Sequence, residues 1–273
     1  MKTERVWAAY WSATGNTRTV VECIAKALAE QMGCAYGTAD FTLPAARAQA
    51  LEFQEGDLVV LGTPTYAGKI PNKMLPYVAE QIHGNGALGV GVVTFGNRSY
   101  DNSLAELCAA MEKNGFHTVA GAAFVGRHAF TDKLAPGRPG EEDLAQAQQF
   151  AKAVAEKVRD AASVPAPVVV KGDAEAPYYV PKGTDGQPAK FLKAKPLTDM
   201  EKCNHCGVCV KLCPVGSIDP EDVSNVPGVC IKCQACIRGC SQHAKYFEDA
   251  AFLSHVAMLE QNFTARKENE LFL

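Results

Sequence analysis

Apolar runs alternate with amphipathic segments through the first 160 residues of the chain. The apolar runs predict strands at residues 6–11, 35–40, 58–61, 89–94 and 118–125. The segments between and after them predict helices at residues 17–32, 72–82, 102–114 and 141–160. Strands that alternate with helices form a parallel sheet covered on both faces. Residues 1–160 therefore predict one doubly wound α/β domain with five parallel strands.

The pattern changes after Asp160. Residues 161–196 contain six prolines and three glycines and show no sustained period, which is typical of a connector. We expect a linker at residues 161–197, in which residues 168–170 and the pair Tyr178-Tyr179 could dock as short edge strands. A cysteine-rich unit then covers residues 198–246. Residues 247–273 predict a C-terminal helix, to about residue 262, and a short polar tail.

Composition and charge narrow the class of protein. The 273 residues are 47% hydrophobic and carry a formal net charge of -3, which argues against nucleic acid or an anionic membrane as the main partner. No apolar run is long enough to span a bilayer, and the N-terminal residues lack the pattern of a signal peptide. We therefore expect a cytoplasmic protein that does not insert into membranes.

The cysteines are concentrated in one segment. Of the 11 in the chain, 8 lie between positions 203 and 240, and we interpret Cys23, Cys34 and Cys108 as small hydrophobic residues. The eight form two runs with the spacing C-x2-C-x2-C-x3-C, and each cysteine of the second run lies 27 positions after its counterpart in the first. Clustered cysteines in a cytosolic chain indicate a metal site rather than disulfides.

This repeat resembles the bacterial ferredoxins that bind two [4Fe–4S] clusters, in which the fourth cysteine of each run serves the other cluster. The resemblance implies one ligand set of Cys203, Cys206, Cys209 and Cys240, and a second of Cys230, Cys233, Cys236 and Cys213. A pair of structural zinc sites is the alternative, although two runs of four are not the usual zinc layout. Ser241 stands where the family usually has a second proline. His205 lies inside the first run as a side chain that could tune a cluster by hydrogen bonding.

A second candidate site follows the first predicted strand. Small polar residues stand where a helix begins, so that backbone and hydroxyl donors converge on the positive end of the helix. They are Ser12, Thr14, Gly15, Asn16 and Thr17. No lysine follows the glycine, so the loop is not of the Walker type. Neutral donors suit one terminal phosphate, and an ordinary helix cap is the alternative.

Two further loops follow the third and fourth predicted strands. In an open doubly wound sheet, ligands bind at the carboxyl ends of the strands, so these loops should lie beside the first. Each offers an aromatic ring next to backbone donors, which would suit a flat ligand. The candidate residues are Thr63, Pro64, Thr65, Tyr66, Ala67 and Gly68 in one loop, and Phe95, Gly96, Asn97, Arg98, Tyr100 and Asp101 in the other.

The three loops together resemble the flavodoxin family over about residues 4–160. The resemblance implies a flavodoxin-like sheet in the order 2-1-3-4-5, FMN as cofactor with its phosphate at residues 12–17, and Tyr66 and Tyr100 as stacking candidates. The alternative for both tyrosines is an ordinary surface or core role. Arg98 brings a positive charge near the ring, which would favour the anionic reduced flavin. Arg127 and His128 follow the fifth strand and could edge the site.

The whole chain resembles the fusions of a flavodoxin-like domain with a small α+β two-cluster ferredoxin domain that occur in anaerobes. The resemblance implies an electron carrier that passes low-potential electrons between the clusters and FMN, with redox proteins as donor and acceptor. The balanced charge of residues 198–246 favours transfer within the protein. The alternative is an FMN/iron–sulfur oxidoreductase that reduces a quinone, a nitro compound or oxygen, but no catalytic residue is recognisable. A homodimer is compatible with either.

Overall fold

A computed structural model describes residues 2–273 of the chain. The strands, in chain order, are β1 (Arg5–Tyr10), β2 (Ala35–Asp40), β3 (Leu51–Glu52), β4 (Asp57–Pro64), β5 (Ile82–His83), β6 (Leu88–Phe95), β7 (His117–Val125), β8 (Leu197–Thr198), β9 (Lys245–Tyr246) and β10 (Glu270–Phe272). The helices are α1 (Asn16–Met32), α2 (Leu75–Glu80), α3 (Ser103–Lys113), α4 (Glu141–Asp160), α5 (Val208–Leu212), α6 (Ala235–Arg238) and α7 (Ala250–Asn262), with a 3-10 turn at Pro44–Arg47.

The main sheet has six strands in the order β10-β7-β6-β4-β1-β2. Its five long strands are parallel, and their order confirms the predicted 2-1-3-4-5 arrangement. The sequence order reverses between β1 and β4, where ligands of doubly wound sheets bind. Strands β3 and β5 form a separate short parallel pair.

Two apolar layers hold the sheet between its helices. One face of the sheet packs against α1 and α4, and the other packs against α2 and α3. The central strands β4 and β6 are apolar on both faces because both faces are covered. At Gly62 on β4, a Cβ atom would lie 2.2 Å from Val21 of α1, so the close approach of helix and strand requires glycine there.

The C-terminal segment differs from the predicted polar tail. After α7, which is capped by the Asp249 carboxylate through the Phe252 N–H at 2.8 Å, the chain returns to the first domain and adds β10 antiparallel to β7. The Asn269 side chain accepts a hydrogen bond from the Val125 N–H at 2.9 Å. The sheet therefore has a sixth strand that the sequence pattern did not indicate.

The linker is packed against the first domain. The Val168 N–H donates to the Thr118 carbonyl oxygen at 2.8 Å, and the Tyr179 N–H donates to the Ala67 carbonyl oxygen at 2.8 Å. Lys69 Nζ donates to the carbonyl oxygens of Ala174 and Ala176 at 2.8 and 2.7 Å. The predicted edge strands at residues 168–170 and 178–179 do not form, because single backbone bonds replace a ladder.

The cysteine-rich segment contains α5 and α6 and a short antiparallel ladder of β8 with β9. It lies over the carboxyl edge of the main sheet. Between residues 2 and 273, none of the helices combines the length and the apolar character needed to cross a membrane.

Candidate functional site

A cavity of about 610 Å³ opens at the carboxyl edge of the main sheet. The loops after β1, β4 and β6 form its floor, which is the position predicted from the sequence. The lining includes most of the predicted residues: Ser12, Thr14, Asn16, Thr17, Pro64, Thr65, Tyr66, Ala67, Gly68, Phe95, Gly96 and Arg98. The sheet therefore brings the three predicted loops together around one space.

The first loop has the features of a phosphate site. Helix α1 begins after Gly15, which is left-handed at φ 95°, and no side chain caps the helix at this residue. Ser12 Oγ accepts a hydrogen bond from the Arg18 N–H at 3.0 Å, and the hydroxyls of Thr17 and Thr94 lie 2.7 Å apart. Neutral hydroxyl and backbone donors at a helix N-terminus fit a phosphate dianion. The residues present therefore fit the phosphate of FMN.

The second loop supplies an aromatic side chain, that of Tyr66, to the cavity. The ring of Tyr66 meets Trp11 edge to face, with 5.8 Å between centroids and 82° between planes. Ala67 and Gly68 follow with φ of 49° and 79°, so the chain turns back and Tyr66 bridges to Lys69. This tight turn holds Tyr66 beside the cavity.

Five predicted residues do not line the cavity. The Asn97 side chain donates instead to the carbonyl oxygens of Phe263 and Ala265, at 2.6 and 3.0 Å. Tyr100 packs on Phe95 in the core, and its hydroxyl donates to Glu270 of β10 at 2.9 Å. A stacking role for Tyr100 is therefore disfavoured by its position. The others are Gly15, Thr63 and Asp101, of which Asp101 pairs with Arg98 and Thr63 is buried in β4.

The linker supplies one side of the cavity. Tyr178 and Tyr179 both line it. The Tyr178 hydroxyl donates to the Ile70 carbonyl oxygen at 2.8 Å, and the guanidinium of Arg98 lies 4.0 Å above the Tyr179 ring. The tyrosine pair in a proline-rich segment is the sequence signal for this contribution, although the pattern indicates only that the pair could dock as a short edge strand.

The opposite end of the cavity is aromatic and contains two histidines, His128 and His255. His255 stacks on Phe191 at 5.3 Å, and its Nδ1 lies 2.8 Å from the Lys182 carbonyl oxygen, which can only accept. His255 Nδ1 therefore carries the proton. His128 Nδ1 accepts from the Phe130 N–H at 3.1 Å, so neutral His128 carries its proton on Nε2.

The two histidines are uncharged at neutral pH. Burial, together with the neighbouring His255, Arg238 and Arg98, lowers the pKa of His128 to about 4. Burial also lowers the pKa of His255. This end of the cavity therefore offers one N–H donor and one nitrogen acceptor among aromatic rings.

A second, small cavity lies inside the cysteine-rich segment. It is lined by the four cysteines Cys213, Cys230, Cys233 and Cys236. These are the members of one ligand set implied by the ferredoxin resemblance, including the fourth cysteine of the other run. We call this group the proximal set, and Cys203, Cys206, Cys209 and Cys240 the distal set. Between residues 2 and 273, no three Cys, His, Asp or Glu side chains converge on the position of a single metal ion.

The two cysteine loops have the same backbone. Left-handed residues occur at His205 and Gly207 in the first loop and, 27 positions later, at Lys232 and Gln234 in the second. The fourth cysteines behave alike: Cys213 Sγ accepts from the Ser217 N–H at 3.2 Å, and Cys240 Sγ accepts from the Ala244 N–H at 3.3 Å. The sequence repeat is therefore also a structural repeat. Such N–H donors stabilise thiolate ligands.

The proximal loop is in contact with the large cavity. Cys230, Ile231 and Lys232 line both cavities. Burial raises the pKa of Tyr66, and the Cys233 and Cys230 thiols beside it add to the rise. Cys230, Ile231 and Lys232 therefore belong to the walls of both cavities.

Two arginines hold the cysteine-rich segment on the first domain. Arg47 donates to the Pro214 carbonyl oxygen at 2.6 Å. Arg238 donates to the carbonyl oxygens of Ala129 and His128, at 2.9 and 2.8 Å, and pairs with Asp132 at 2.8 Å. Because Arg238 binds His128 and Ala129, which line the cavity, it holds the proximal loop against the cavity wall.

A phosphate-binding sheet edge joined to a repeated cysteine loop defines a redox protein with two kinds of centre. Residues 8–125 match the family described as flavodoxin domain, and residues 196–219 and 227–245 each match a family described as 4Fe-4S binding domain. The chain is thus a fusion of a flavodoxin domain with ferredoxin-type 4Fe-4S domains, as predicted. These domains imply FMN and two [4Fe–4S] clusters as cofactors, and together they indicate an electron-transfer flavo-iron–sulfur protein.

Solved structures with a similar fold include a flavodoxin from the domain Archaea, with 18% identity over 57% of this chain and 99% of that one, at a TM-score of 0.41. The flavodoxin of Streptococcus pneumoniae TIGR4 is 20% identical over 56% of this chain and 99% of that one, at 0.40. The Flv1 flavodiiron core of Synechocystis sp. PCC6803 is 16% identical over 58% of this chain and 36% of that one, at 0.40. Comparison with curated proteins found no match.

Proposed function

We propose that this protein carries electrons between two [4Fe–4S] clusters and FMN inside one chain, in the order distal cluster, proximal cluster, flavin. The observation that carries the proposal is the shared wall of the two cavities, formed by Cys230, Ile231 and Lys232. A cluster held by the proximal set would then lie next to the flavin. Each cluster accepts one electron at a time, whereas flavin can accept one or two. The flavin can therefore collect electrons singly and release a pair.

The distal cluster is the contact with outside redox partners in this proposal. Its ligand Cys206 is exposed, whereas Cys233 at the matching position of the proximal loop is buried. An electron from a low-potential donor protein would therefore enter or leave at the distal loop. The contact between cluster and flavin lies within one chain, so the transfer does not require a second copy of the protein.

The charges of the cysteine-rich segment support transfer within the molecule. Arg238 is bound to the first domain, and Lys232 and Lys245 are buried. Three of the five basic residues of this segment are therefore engaged internally and do not steer a partner. We propose domain limits of 1–160, 198–246 and 247–273, as inferred from the sequence, with linker 161–197 forming part of the flavin site through Tyr178 and Tyr179.

Anaerobic purification with quantitation of iron, sulfide and flavin is the direct test. We expect about eight irons and one FMN per chain. Rapid mixing with a one-electron donor should then bleach the clusters first and the flavin afterwards, at a flavin rate that does not depend on protein concentration. A protein that takes up no flavin after reconstitution, or a flavin rate that rises in proportion to protein concentration, would overturn the proposal.

Reduction of a small acceptor is the second candidate, and the histidine end of the cavity favours it. The neutral donor of His128 and the neutral acceptor of His255 lie in an aromatic chamber that could hold a planar carbonyl compound such as a quinone. Two electrons and two protons would convert the quinone to a hydroquinone, with reduced flavin as the electron source. This activity would add to electron carriage and would not replace it.

Steady-state assays with a soluble quinone distinguish the two functions. If the protein is also a reductase, His128→Gln and His255→Gln should raise KM for the quinone while cluster-to-flavin transfer keeps its rate. A quinone turnover far slower than cluster reduction, or one that both variants leave unchanged, would assign the protein to electron carriage alone.

A further inference from the structure

Two lysines of the cysteine-rich segment are buried without a carboxylate partner. Lys232 is 8% exposed and Lys245 is 4% exposed. The ammonium of Lys232 donates to the carbonyl oxygens of Leu192 and Cys230, and that of Lys245 donates to the Val223 carbonyl oxygen. Within the described residues 2–273, no Asp or Glu oxygen lies within 4.0 Å of either ammonium. Both ammonium groups therefore make direct contacts only with carbonyl oxygens, and Asp249 near Lys232 and Asp222 near Lys245 act on them through charge at longer range.

The first domain treats a buried lysine differently. Lys69 is 7% exposed and forms an ion pair with Glu106, whose carboxylate lies 3.0 Å away. Arg138, also buried, is paired with Asp143 in the same way. An unpaired ammonium in an apolar interior is unfavourable because it loses its hydration without gaining a counter-charge. Lys232 and Lys245, which have no directly bonded carboxylate, would therefore be stabilised further by anions of another kind.

The position of Lys232 indicates which anions these are. Lys232 lines both the large cavity and the proximal cysteine cavity. It is thus the cationic residue in the wall between the predicted flavin and the proximal cluster. A [4Fe–4S] cluster with four thiolate ligands is an anion, and so is a flavin phosphate or a reduced flavin.

Lys245 occupies the corresponding place between the two cysteine sets. Its ammonium is bound to Val223, which lies in a small apolar cluster with Ile218 and Val226. The cysteines packed against that cluster are Cys203 and Cys209 of the distal set and Cys213 and Cys236 of the proximal set. One unpaired lysine therefore lies in each of the two gaps along the path from distal cluster to flavin.

We propose that Lys232 and Lys245 are the fixed counter-charges of this electron path, Lys232 for the proximal cluster and the flavin, and Lys245 for the two clusters. The inference rests on the proposed function. Each step moves one electron from one centre to the next, with no bond made or broken and no proton taken from either lysine. The first electron comes from an external one-electron donor. Because each electron adds negative charge, a nearby cation stabilises the reduced centre and raises its reduction potential.

The test is a redox titration of the complete holoprotein, followed by electron paramagnetic resonance for the clusters and absorbance for the flavin. Lys232→Met should lower the reduction equilibrium constant of the proximal cluster about tenfold, about 59 mV for one electron. The reduction potential of the flavin should shift in the same direction, and that of the distal cluster should stay unchanged. Lys245→Met should lower the reduction potentials of both clusters and leave that of the flavin unchanged. Spectra of Cys206→Ser, in which the distal cluster should be absent, show which electron paramagnetic resonance signals belong to which cluster.

Three further variants separate charge from structure. Lys232→Arg retains the cation and should keep the wild-type potentials, whereas Lys232→Gln retains a donor without charge and should behave as Lys232→Met. Lys211→Met removes an exposed lysine of the same segment, where water screens the charge, and should shift no potential.

The outcomes distinguish this proposal from the proposed function. A wild-type protein without about eight irons and one FMN would overturn the proposed function itself. A loaded Lys232→Met or Lys232→Gln variant with unshifted potentials would overturn only the role of the lysines, as would an equal shift of all three centres. If the neutral variants lose the proximal cluster, retention of that cluster in Lys232→Arg supports the requirement for charge, and its loss there contradicts it.

Discussion

The two cysteine loops are alike in backbone and unlike in surroundings. Residues 204–206 of the distal loop are exposed, whereas residues 232–235 of the proximal loop are buried. At matching positions His205 is exposed and Lys232 is buried, and Cys206 is exposed and Cys233 is buried. Cys233 and Ala235 belong to the same apolar core as strands β4 and β6 of the first domain.

This difference shows which features of a cysteine loop the repeated sequence determines and which depend on the surroundings of each copy. The 27-residue repeat encodes the turns that present the sulfurs, because the same left-handed positions recur in both copies. Solvent access and neighbouring charges arise only when one copy packs on the sheet. Those are the features that tune the potential of a cluster. One ligand motif can thus provide both a surface contact and an internal relay.

The strongest test of the comparison removes one ligand from each loop. Cys233→Ser and Cys206→Ser should each lower the iron content from about eight to about four per chain. Cys233→Ser should leave a distal cluster that an outside donor reduces but that no longer reduces the flavin. Cys206→Ser should keep exchange between the proximal cluster and a photoreduced flavin. Iron analysis and rapid-mixing spectroscopy measure both effects. The same phenotype in both variants would mean that the two loops are equivalent.

Loss of the arginine that anchors the proximal loop should have the next largest effect. Arg238→Ala removes charged hydrogen bonds to two partly buried carbonyl oxygens and to Asp132, a loss of about 2–3 kcal/mol. Flavin reduction by the clusters should slow and FMN affinity, measured by fluorescence quenching, should fall at least about tenfold. Arg266→Ala, which removes an exposed pair with Glu142, is the matched control and should change neither. Equal effects of the two substitutions would contradict the anchoring role.

The same contact predicts a dependence of stability on pH. Arg238 donates to the His128 carbonyl oxygen, and burial, His255, Arg238 and Arg98 together lower the pKa of His128 to about 4. Since an unfolded histidine titrates near 6.5, the unfolded chain binds more protons below that pH. The contribution of His128 to the free energy of unfolding should be fully present above about pH 6.5. It should fall by at most about 2 kcal/mol towards pH 5. Urea unfolding of the wild type and of His128→Gln at several pH values measures this contribution. The same dependence of unfolding free energy on pH in both proteins would exclude it.

The smallest predicted effect concerns the tyrosines of the linker and the third loop. Tyr179→Ala removes the ring beneath Arg98 and should weaken FMN binding about fivefold to tenfold. Tyr100→Phe removes only the hydrogen bond to Glu270, so it should cost about 1 kcal/mol of unfolding free energy without changing FMN affinity. Titration of the apoprotein with FMN measures the first and urea unfolding the second. An FMN affinity that falls in Tyr100→Phe but not in Tyr179→Ala would place the Tyr100 hydroxyl, and not the Tyr179 ring, in the flavin site.

Much of the fold could be predicted because it depends on local pattern. The five parallel strands and the four helices of the first domain follow from apolar runs and amphipathic periods, since a covered parallel sheet needs both. Strand β10 could not be predicted, because the apolar stretch that contains it is too short to show a period and its partner β7 lies far away in the chain. Long-range pairing of so short a segment leaves no periodic signal.

The candidate site likewise contains residues that could be placed from the sequence and residues that could not. Ser12, Thr17 and Tyr66 could be placed at the cavity, since they stand at the ends of predicted strands. Tyr100 could not be separated from Tyr66 by sequence, because the choice depends on a hydroxyl partner supplied by β10. Tyr179 is held by a backbone bond to Ala67 in a segment without a period, so packing alone brings it to the cavity.

The return of the chain to the sheet through β10 makes the cysteine-rich segment an insertion rather than an appendage. The chain leaves the sheet domain after α4 and comes back to the edge of β7, so the segment is attached at two ends. Closing both ends restricts how far the clusters can move from the cavity. A single cut in the linker would accordingly yield two fragments that remain associated through α7 and β10, with the clusters still next to the flavin.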